Sequence, residues 1–272
     1  MTGVTGLVEL ARPVRDLERA RQFYVNALGF AECLRVGPFD GLLALSLARA
    51  WKLLAKPSML RLQIGAQTLV LVDCAQYRGP PDTGALDTRF QHIAVITPHM
   101  AEAWQRVEPH ARAISHGGPQ RLPASTGGVT AVKFRDPDGH PVELLAFAPE
   151  AMPARWASGA TGIDHSAIGV ADADRSIGFY GRMGLQVTAR QTNQGDEQAR
   201  LDGLSAPVVE VVGLAPPEPS PHLELLAYRS VRPAPGPTAG PRTTTVWSSG
   251  RTTPFLMTDP DGHAHLLMPS HP

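Results

Sequence analysis

His92, Glu143, His165 and Glu224 each occupy a comparable place in a short apolar run, at separations of 51, 22 and 59 residues. Imidazole and carboxylate in the order His–Glu–His–Glu make up the donor set that a divalent ion needs when two similar half-domains enclose it. Two carboxylates and two neutral imidazoles cancel a divalent charge, and an octahedral ion so held keeps two positions open. Both Glu residues lie in strongly apolar runs, VELLAF and LELLAY. An unpaired buried carboxylate is costly there, so each must meet a metal, a His or an Arg. His222 lies two residues before Glu224 and so shares its face of a strand.

The bulk properties set limits on this chemistry. The chain has 272 residues, enough for two domains with sizeable cores, and 25 basic residues balance 25 acidic ones. That balance gives no basic stripe for nucleic acid. No apolar run approaches the ~20 residues that cross a bilayer. The first residues lack the pattern of a secretory signal. Cys33 and Cys74 alone make no disulfide framework, so a cytoplasmic monomer or homodimer acting on a small molecule is expected. The 26 Gly and 26 Pro call for many turns between short strands.

Internal repeats supply the elements that would position the four residues. LVELARPVRDLERARQFYVNALGF (7–30) has a partner in IDHSAIGVADADRSIGFYGRMGLQV (163–187). Each reads as an apolar strand, Val-x-Asp, a helix ending in Phe-Tyr, then Gly. Asp16 and Asp172 stand at helix N-caps, and Gly29 and Gly184 suit a left-handed C-terminal residue. Phe23–Tyr24 and Phe179–Tyr180 are read as helix-to-sheet packing. FRDPDGHPVELLAF (134–147) resembles LMTDPDGHAHLLMP near the C-terminus, with Asp-Pro-Asp-Gly as a turn. Asp136, Asp138, His140 and His263 are accordingly expected to be turn residues.

The repeats predict four modules of strand, helix and about three strands, over 5–78, 88–149, 161–230 and 240–270. The fourth is expected to be short, with no clear first strand or helix before Phe255. Grouped in sequence they give two domains, 1–150 and 161–272. The polar, turn-rich stretches 77–87, 149–161 and 230–241 read as linkers, and Pro216–Pro221 as a loop.

At these residues the chain resembles the vicinal oxygen chelate superfamily, which includes glyoxalase I, methylmalonyl-CoA epimerase, extradiol dioxygenases and the bleomycin- and fosfomycin-resistance proteins. The resemblance rests on the FY-and-Gly openings, FRDPDGHPVELL, and His in the first-strand position, and it covers nearly the whole chain. It implies an α+β fold of tandem βαβββ modules that pair into two cupped mixed-sheet half-barrels. It also implies one divalent metal (Zn, Ni, Co, Mn or Fe) held from the first and last strands of two modules. The first-strand slots hold Glu9, His92 and His165; the last-strand slots hold Val70, Glu143, Glu224 and Leu266.

Modules 2 and 3 thus carry complete ligand pairs. If they face each other, one cup has His92, Glu143, His165 and Glu224; if modules pair in sequence, Glu9 joins His92 and Glu143. The resemblance implies an enzyme of glyoxalase or epimerase type, a lyase or isomerase. It would chelate a small oxygenated substrate and stabilise an enediolate, with Glu143 or Glu224 as the catalytic base. The alternatives are an iron-dependent extradiol dioxygenase and a metal-free protein that binds a small molecule or antibiotic. Gln120 and Arg121 on one loop, and Asn193, Gln194 and Gln198 on another, are the candidate substrate contacts, with His222.

Overall fold

The computed structural model describes residues 3–33, 40–80, 84–157, 159–218, 221–232 and 240–270. Parts of the linkers 77–87, 149–161 and 230–241, and of the Pro216–Pro221 loop, lie outside these residues. The first module runs β1 (Val4–Val14), α1 (Leu17–Gln22, continued by a π-helical turn to Ala27), β2 (Ala31–Glu32), α2 (Asp40–Trp51), β3 (Met59–Ile64) and β4 (Gln67–Asp73). The second runs β5 (Gln91–Ile96), α3 (Met100–Val107), β6 (Arg112–Ala113), β7 (Gln120–Arg121), β8 (Thr130–Arg135) and β9 (Pro141–Ala146). The third runs β10 (Gly162–Gly169), α4 (Ala173–Met183), β11 (Gln186–Gln194), α5 (Asp196–Asp202), β12 (Val208–Ala215) and β13 (His222–Tyr228). The fourth has β14 (Thr244–Ser249), β15 (Phe255–Thr258) and β16 (Ala264–Pro269).

The helix openings form as their residues dictate. Asp16 accepts from Arg19 N at 3.0 Å and Asp172 from Arg175 N at 2.9 Å, each satisfying a first-turn N–H that has no partner within the helix. Gly184 closes α4 at φ +105°, where a Cβ would be strained. The fourth module is short, but it does have a first strand. β14 follows from TTTVWSS, and what is missing is the helix, since β14 passes directly to β15.

The sheets pair crosswise. One has the order β15-β16-β14-β1-β4-β3-β2, joining modules 1 and 4; the other runs β11-β12-β13-β10-β5-β9-β8-β6, joining modules 2 and 3. The seams are the antiparallel pairs β1–β14 and β5–β10. The apolar cores are arranged differently. Phe23, Tyr24 and Leu71 of module 1 share one with Ile93, Trp104 and Phe134 of module 2, and Ile168, Tyr180 and Leu223 of module 3 share another with Trp247 and Leu267 of module 4. Sequential modules therefore pack on one another while crossed modules hydrogen-bond.

Both repeated motifs serve this sequential packing. Tyr24 Oη donates to Asp136 Oδ2 at 2.7 Å, and Tyr180 Oη to Asp259 Oδ2 at 2.8 Å. The other oxygen of each Asp accepts two turn N–H groups, from Asp138 and His140 or from Asp261 and His263. The imidazole Nε2 of His140 reaches Pro13 O, and that of His263 reaches Gly169 O. The Asp-Pro-Asp-Gly-His turns are thus pinned to the preceding module by the tyrosine of its helix.

One buried imidazole in this framework ties stability to pH. His265, between Tyr180 and Thr245, is pushed down from 6.5 to about 4, chiefly by burial. The unfolded chain takes up that proton first, so the contribution is full above pH 6.5 and disappears as pH falls toward 4. The loss is expected to reach about 3 kcal/mol. Urea titrations at pH 7 and 4.5 should show it in the wild type and show it reduced in His265→Gln.

Candidate functional site

Strand alternation divides the second sheet into two faces. Val142 and Leu144 of β9 point into the shared core, so Glu143 points the other way; Leu223 and Leu225 do the same for Glu224 on β13. On β5, Ile93 and Val95 face the core, which leaves His92 on the cup side. The four residues come from four adjacent strands, β13-β10-β5-β9. They line one cavity of about 320 Å³.

His92, Glu143 and His165 offer ligand atoms that all lie within 4.8 Å of one another. His92 Nε2 is 3.1 Å from Glu143 Oε2, and His165 Nε2 is 3.5 Å from the same oxygen. Glu224 Oε2 approaches His165 Nε2 at 3.5 Å from the other side. Glu224 is also the more open of the two carboxylates, its side chain 23% exposed against 6% for Glu143.

A β-bulge positions His165. In the β5–β10 pairing the register shifts between Ile163 and His165, so Asp164 is an extra residue. The bulge interrupts strict alternation and lets Asp164 turn back to its neighbour. Asp164 Oδ2 lies 3.0 Å from His165 Nδ1, while Oδ1 accepts from Trp156 Nε1 at 3.0 Å and from Arg155 Nη2 at 2.5 Å. With Nδ1 paired to Asp164, Nε2 is the ring atom left to serve as a ligand, beside Glu143 Oε2 and Glu224 Oε2. Nε2 is buried with no hydrogen-bond partner among the described residues. This carboxylate–imidazole arrangement fixes the tautomer and ring orientation of metal-binding histidines.

The electrostatics favour a cation. Burial opposes ionisation of Glu143, but Lys133 and the imidazoles of His165 and His92 outweigh it and hold the carboxyl well below its usual range. Burial likewise opposes ionisation of Glu224, and His165 and His222 keep it low. His92 is held neutral chiefly by burial. Burial would also lower His165, but Glu224, Asp164 and Glu143 raise it well above the usual value. A proton on His165 thus balances the two carboxylates, and a divalent ion would displace it. The donor set, its charge and the orphaned Nε2 all fit such an ion.

The remaining sequence candidates divide. His222, Asn193 and Gln198 line the same cavity, and His222 Nε2 is 3.2 Å from Glu224 Oε1. Gln120, Arg121 and Gln194 lie outside the lining. Gln120 is spent elsewhere, donating to His116 O and Gly118 O of the preceding loop and accepting from Arg200 Nε of α5. Arg121 and Gln194 are exposed. Glu9, a ligand only under sequential pairing, sits in the other cup and accepts from Arg61 Nε at 2.7 Å.

Two functional candidates escape a reading of the sequence: Asp164 and Lys133. Lys133 stands opposite Glu143 in the β8–β9 hairpin and is buried, with Nζ 2.7 Å from Asp202 Oδ1. The hairpin register could have revealed it, because the Asp-Pro-Asp-Gly turn centred on Asp138 places residues 133 and 143 across from each other.

The second cup shows what the same framework becomes without ligands. Val70, Thr244 and Leu266 stand where the first cup has Glu224, His92 and Glu143, judged from their pairing with Ala11 and Val246. Helix α2 fills the space: Leu43, Leu47 and Trp51 pack on Val70, Val246 and Leu266, and Trp51 Nε1 donates to Thr244 Oγ1.

The family model described as the Glyoxalase/Bleomycin resistance protein/Dioxygenase superfamily matches residues 6–144. The chain belongs to this superfamily. Among solved structures it is similar to glyoxalase I from Zea mays, at 16% identity and a TM-score of 0.64, covering 97% of this chain and 92% of that one. It is also similar to a candidate dioxygenase from Bacillus subtilis, at 13% identity and a TM-score of 0.58, covering 100% and 87%. At such identities the likeness speaks for the superfamily fold alone. A comparison with curated proteins found no match. Among the described residues no helix is long and apolar enough to cross a membrane.

Proposed function

We propose that this superfamily member is a divalent-metal enzyme of glyoxalase or epimerase type, moving a proton next to the carbonyl of a small oxygenated substrate. The observation that carries this reading is His165, with Nδ1 tied to Asp164 and Nε2 buried beside Glu143 and Glu224 without a hydrogen-bond partner among the described residues. His92, Glu143, His165 and Glu224 would hold the ion. When bound, it supplies Lewis-acid polarisation of a substrate oxygen. Glu143 is hemmed in by Lys133 and two imidazoles, which suits a fixed ligand. Glu224 is open to the cavity and beside His222, which suits the group that takes and returns a proton.

The test is metal content. Protein purified without chelators is expected to carry one divalent ion per chain, and His165→Ala to lose it. Asp164→Asn, which removes only the orienting carboxylate, is expected to weaken metal affinity about 10–100-fold. Stoichiometric metal in His165→Ala would end this reading.

One observation keeps a second reading alongside it. The tight trio is two imidazoles and one carboxylate, the facial set of non-haem iron oxygenases, with Glu224 farther off. Oxygen uptake with catechols by the Fe(II)-loaded protein would favour ring cleavage over proton transfer.

A further inference from the structure

A second cavity, of about 290 Å³, shares no lining residue with the cup of His92, Glu143, His165 and Glu224 among the described residues. Three modules build it. Residues 77–80 come from the end of module 1, Phe90, Arg135 and Pro141 from module 2, and Arg242 and Gly262 from module 4. Its walls are apolar at Tyr77, Pro80, Phe90, Pro141 and Pro241, and its charge is one-sided. Among the described residues, the guanidiniums of Arg78, Arg89, Arg135 and Arg242 stand against a single lining carboxylate, that of Asp261. Asp87 takes up Nε and Nη2 of Arg89, at 2.8 and 2.6 Å, and Asp261 accepts from Arg175 Nη2 at 2.9 Å. Arg78, which is exposed, and Arg242 have no carboxylate partner among the described residues.

Arg242 is held at the wall by backbone alone. Nε donates to Gly240 O at 3.5 Å and Nη1 to Gly262 O at 2.8 Å, and both glycines line the cavity. Nη2 has no partner among the described residues and is not closed off from solvent, so an incoming acceptor can reach it. Burial pushes the guanidinium's pKa down, and no carboxylate offsets the shift. A half-buried cation without a counter-charge is costly, and an anion in the cavity would relieve that cost. A carboxylate matches the planar fork of Arg, and an apolar body matches the walls. We propose that this cavity binds a small organic carboxylate, its charge paired with Arg242 and drawn in by Arg78, its apolar body against Phe90 and Pro141. The site is separate from the metal chelate and does not depend on it.

The test titrates benzoate, benzamide and inorganic phosphate into the protein as purified, followed by NMR or calorimetry. Benzoate is expected to bind at one saturable site, at least about tenfold tighter than benzamide, the size of a charge-assisted hydrogen bond. Phosphate, which has charge without the apolar body, is expected to bind more weakly than benzoate. Arg242→Gln should weaken benzoate about tenfold. Arg78→Gln, at an exposed position that folding does not depend on, should weaken it about threefold, the smaller effect of a solvent-screened charge. His165→Ala, which alters only the metal cup, should leave benzoate binding unchanged. Benzamide binding as tightly as benzoate overturns the anion assignment, and phosphate binding as tightly overturns the organic one. Benzoate binding that survives both arginine variants, or that His165→Ala abolishes, lies elsewhere and overturns the site. So does the absence of saturable benzoate binding.

Discussion

Glu224→Gln is expected to slow proton exchange next to the carbonyl of an α-hydroxyketone by about 10²–10⁴-fold, the usual contribution of a positioned general base. The amide keeps an oxygen for His222 but cannot take a proton. Metal should be held more weakly but not lost, because the tight trio of His92, Glu143 and His165 remains when the fourth ligand is changed. Glu143→Gln should behave differently. Its oxygen lies between both imidazoles, at 3.1 and 3.5 Å, so that change should release metal as well as abolish exchange. Exchange into solvent deuterium followed by NMR, with metal content measured on the same samples, separates the two. Equal metal loss in both variants would remove the assignment of Glu143 as the fixed ligand and Glu224 as the ligand that also serves as base.

Lys133→Met is expected to destabilise the metal-free protein by about 3–5 kcal/mol, the cost of leaving a buried charge without its partner. Asp202 has no solvent exposure of its side chain, and Tyr228 and Gln198 replace only part of what the ammonium provides. Glu143 would suffer too, since Lys133 is the leading cause that holds its carboxyl ionised in the interior. The double variant Lys133→Met/Asp202→Asn should lose less than the single one, because the stranded charge is gone. Urea unfolding of the wild type, both single variants and the double variant gives the coupling. A loss under about 1 kcal/mol for Lys133→Met would mean the ammonium is solvated and the network weak.

Much of this was legible in the chain. The paired strand-helix openings and the two Asp-Pro-Asp-Gly-His turns give the modules, because each repeat carries its own cap, turn and apolar alternation. The slots for His92, Glu143, His165 and Glu224 follow from those repeats. Pairing of the modules did not follow, since either seam buries similar apolar strands; only the β1–β14 and β5–β10 contacts distinguish them. Asp164 was hidden by the bulge, for alternation alone assigns neighbours of His165 to the opposite face. Helix α2 was hidden for another reason. GLLALSLARAW has the apolar spacing of a helix, but its role depends on the ligand-free cup that receives Leu47 and Trp51. The first strand of the fourth module, TTTVWSS, offered no His or Glu to mark it, and Thr244 stands in the slot instead. Gln120 is polar for its hydrogen bonds to the preceding loop and Arg121 is exposed, and composition cannot distinguish either from a binding residue.

The most direct measurement is an anomalous-scattering map of crystals grown with zinc. One peak per chain is expected in the cup of modules 2 and 3, with His92, Glu143, His165 and Glu224 atoms at about 2.0–2.2 Å, and none beside Glu9, Val70, Thr244 and Leu266. An ion held instead by Asp164, His165 and His222, or no ion in that cup at saturating zinc, would contradict the account.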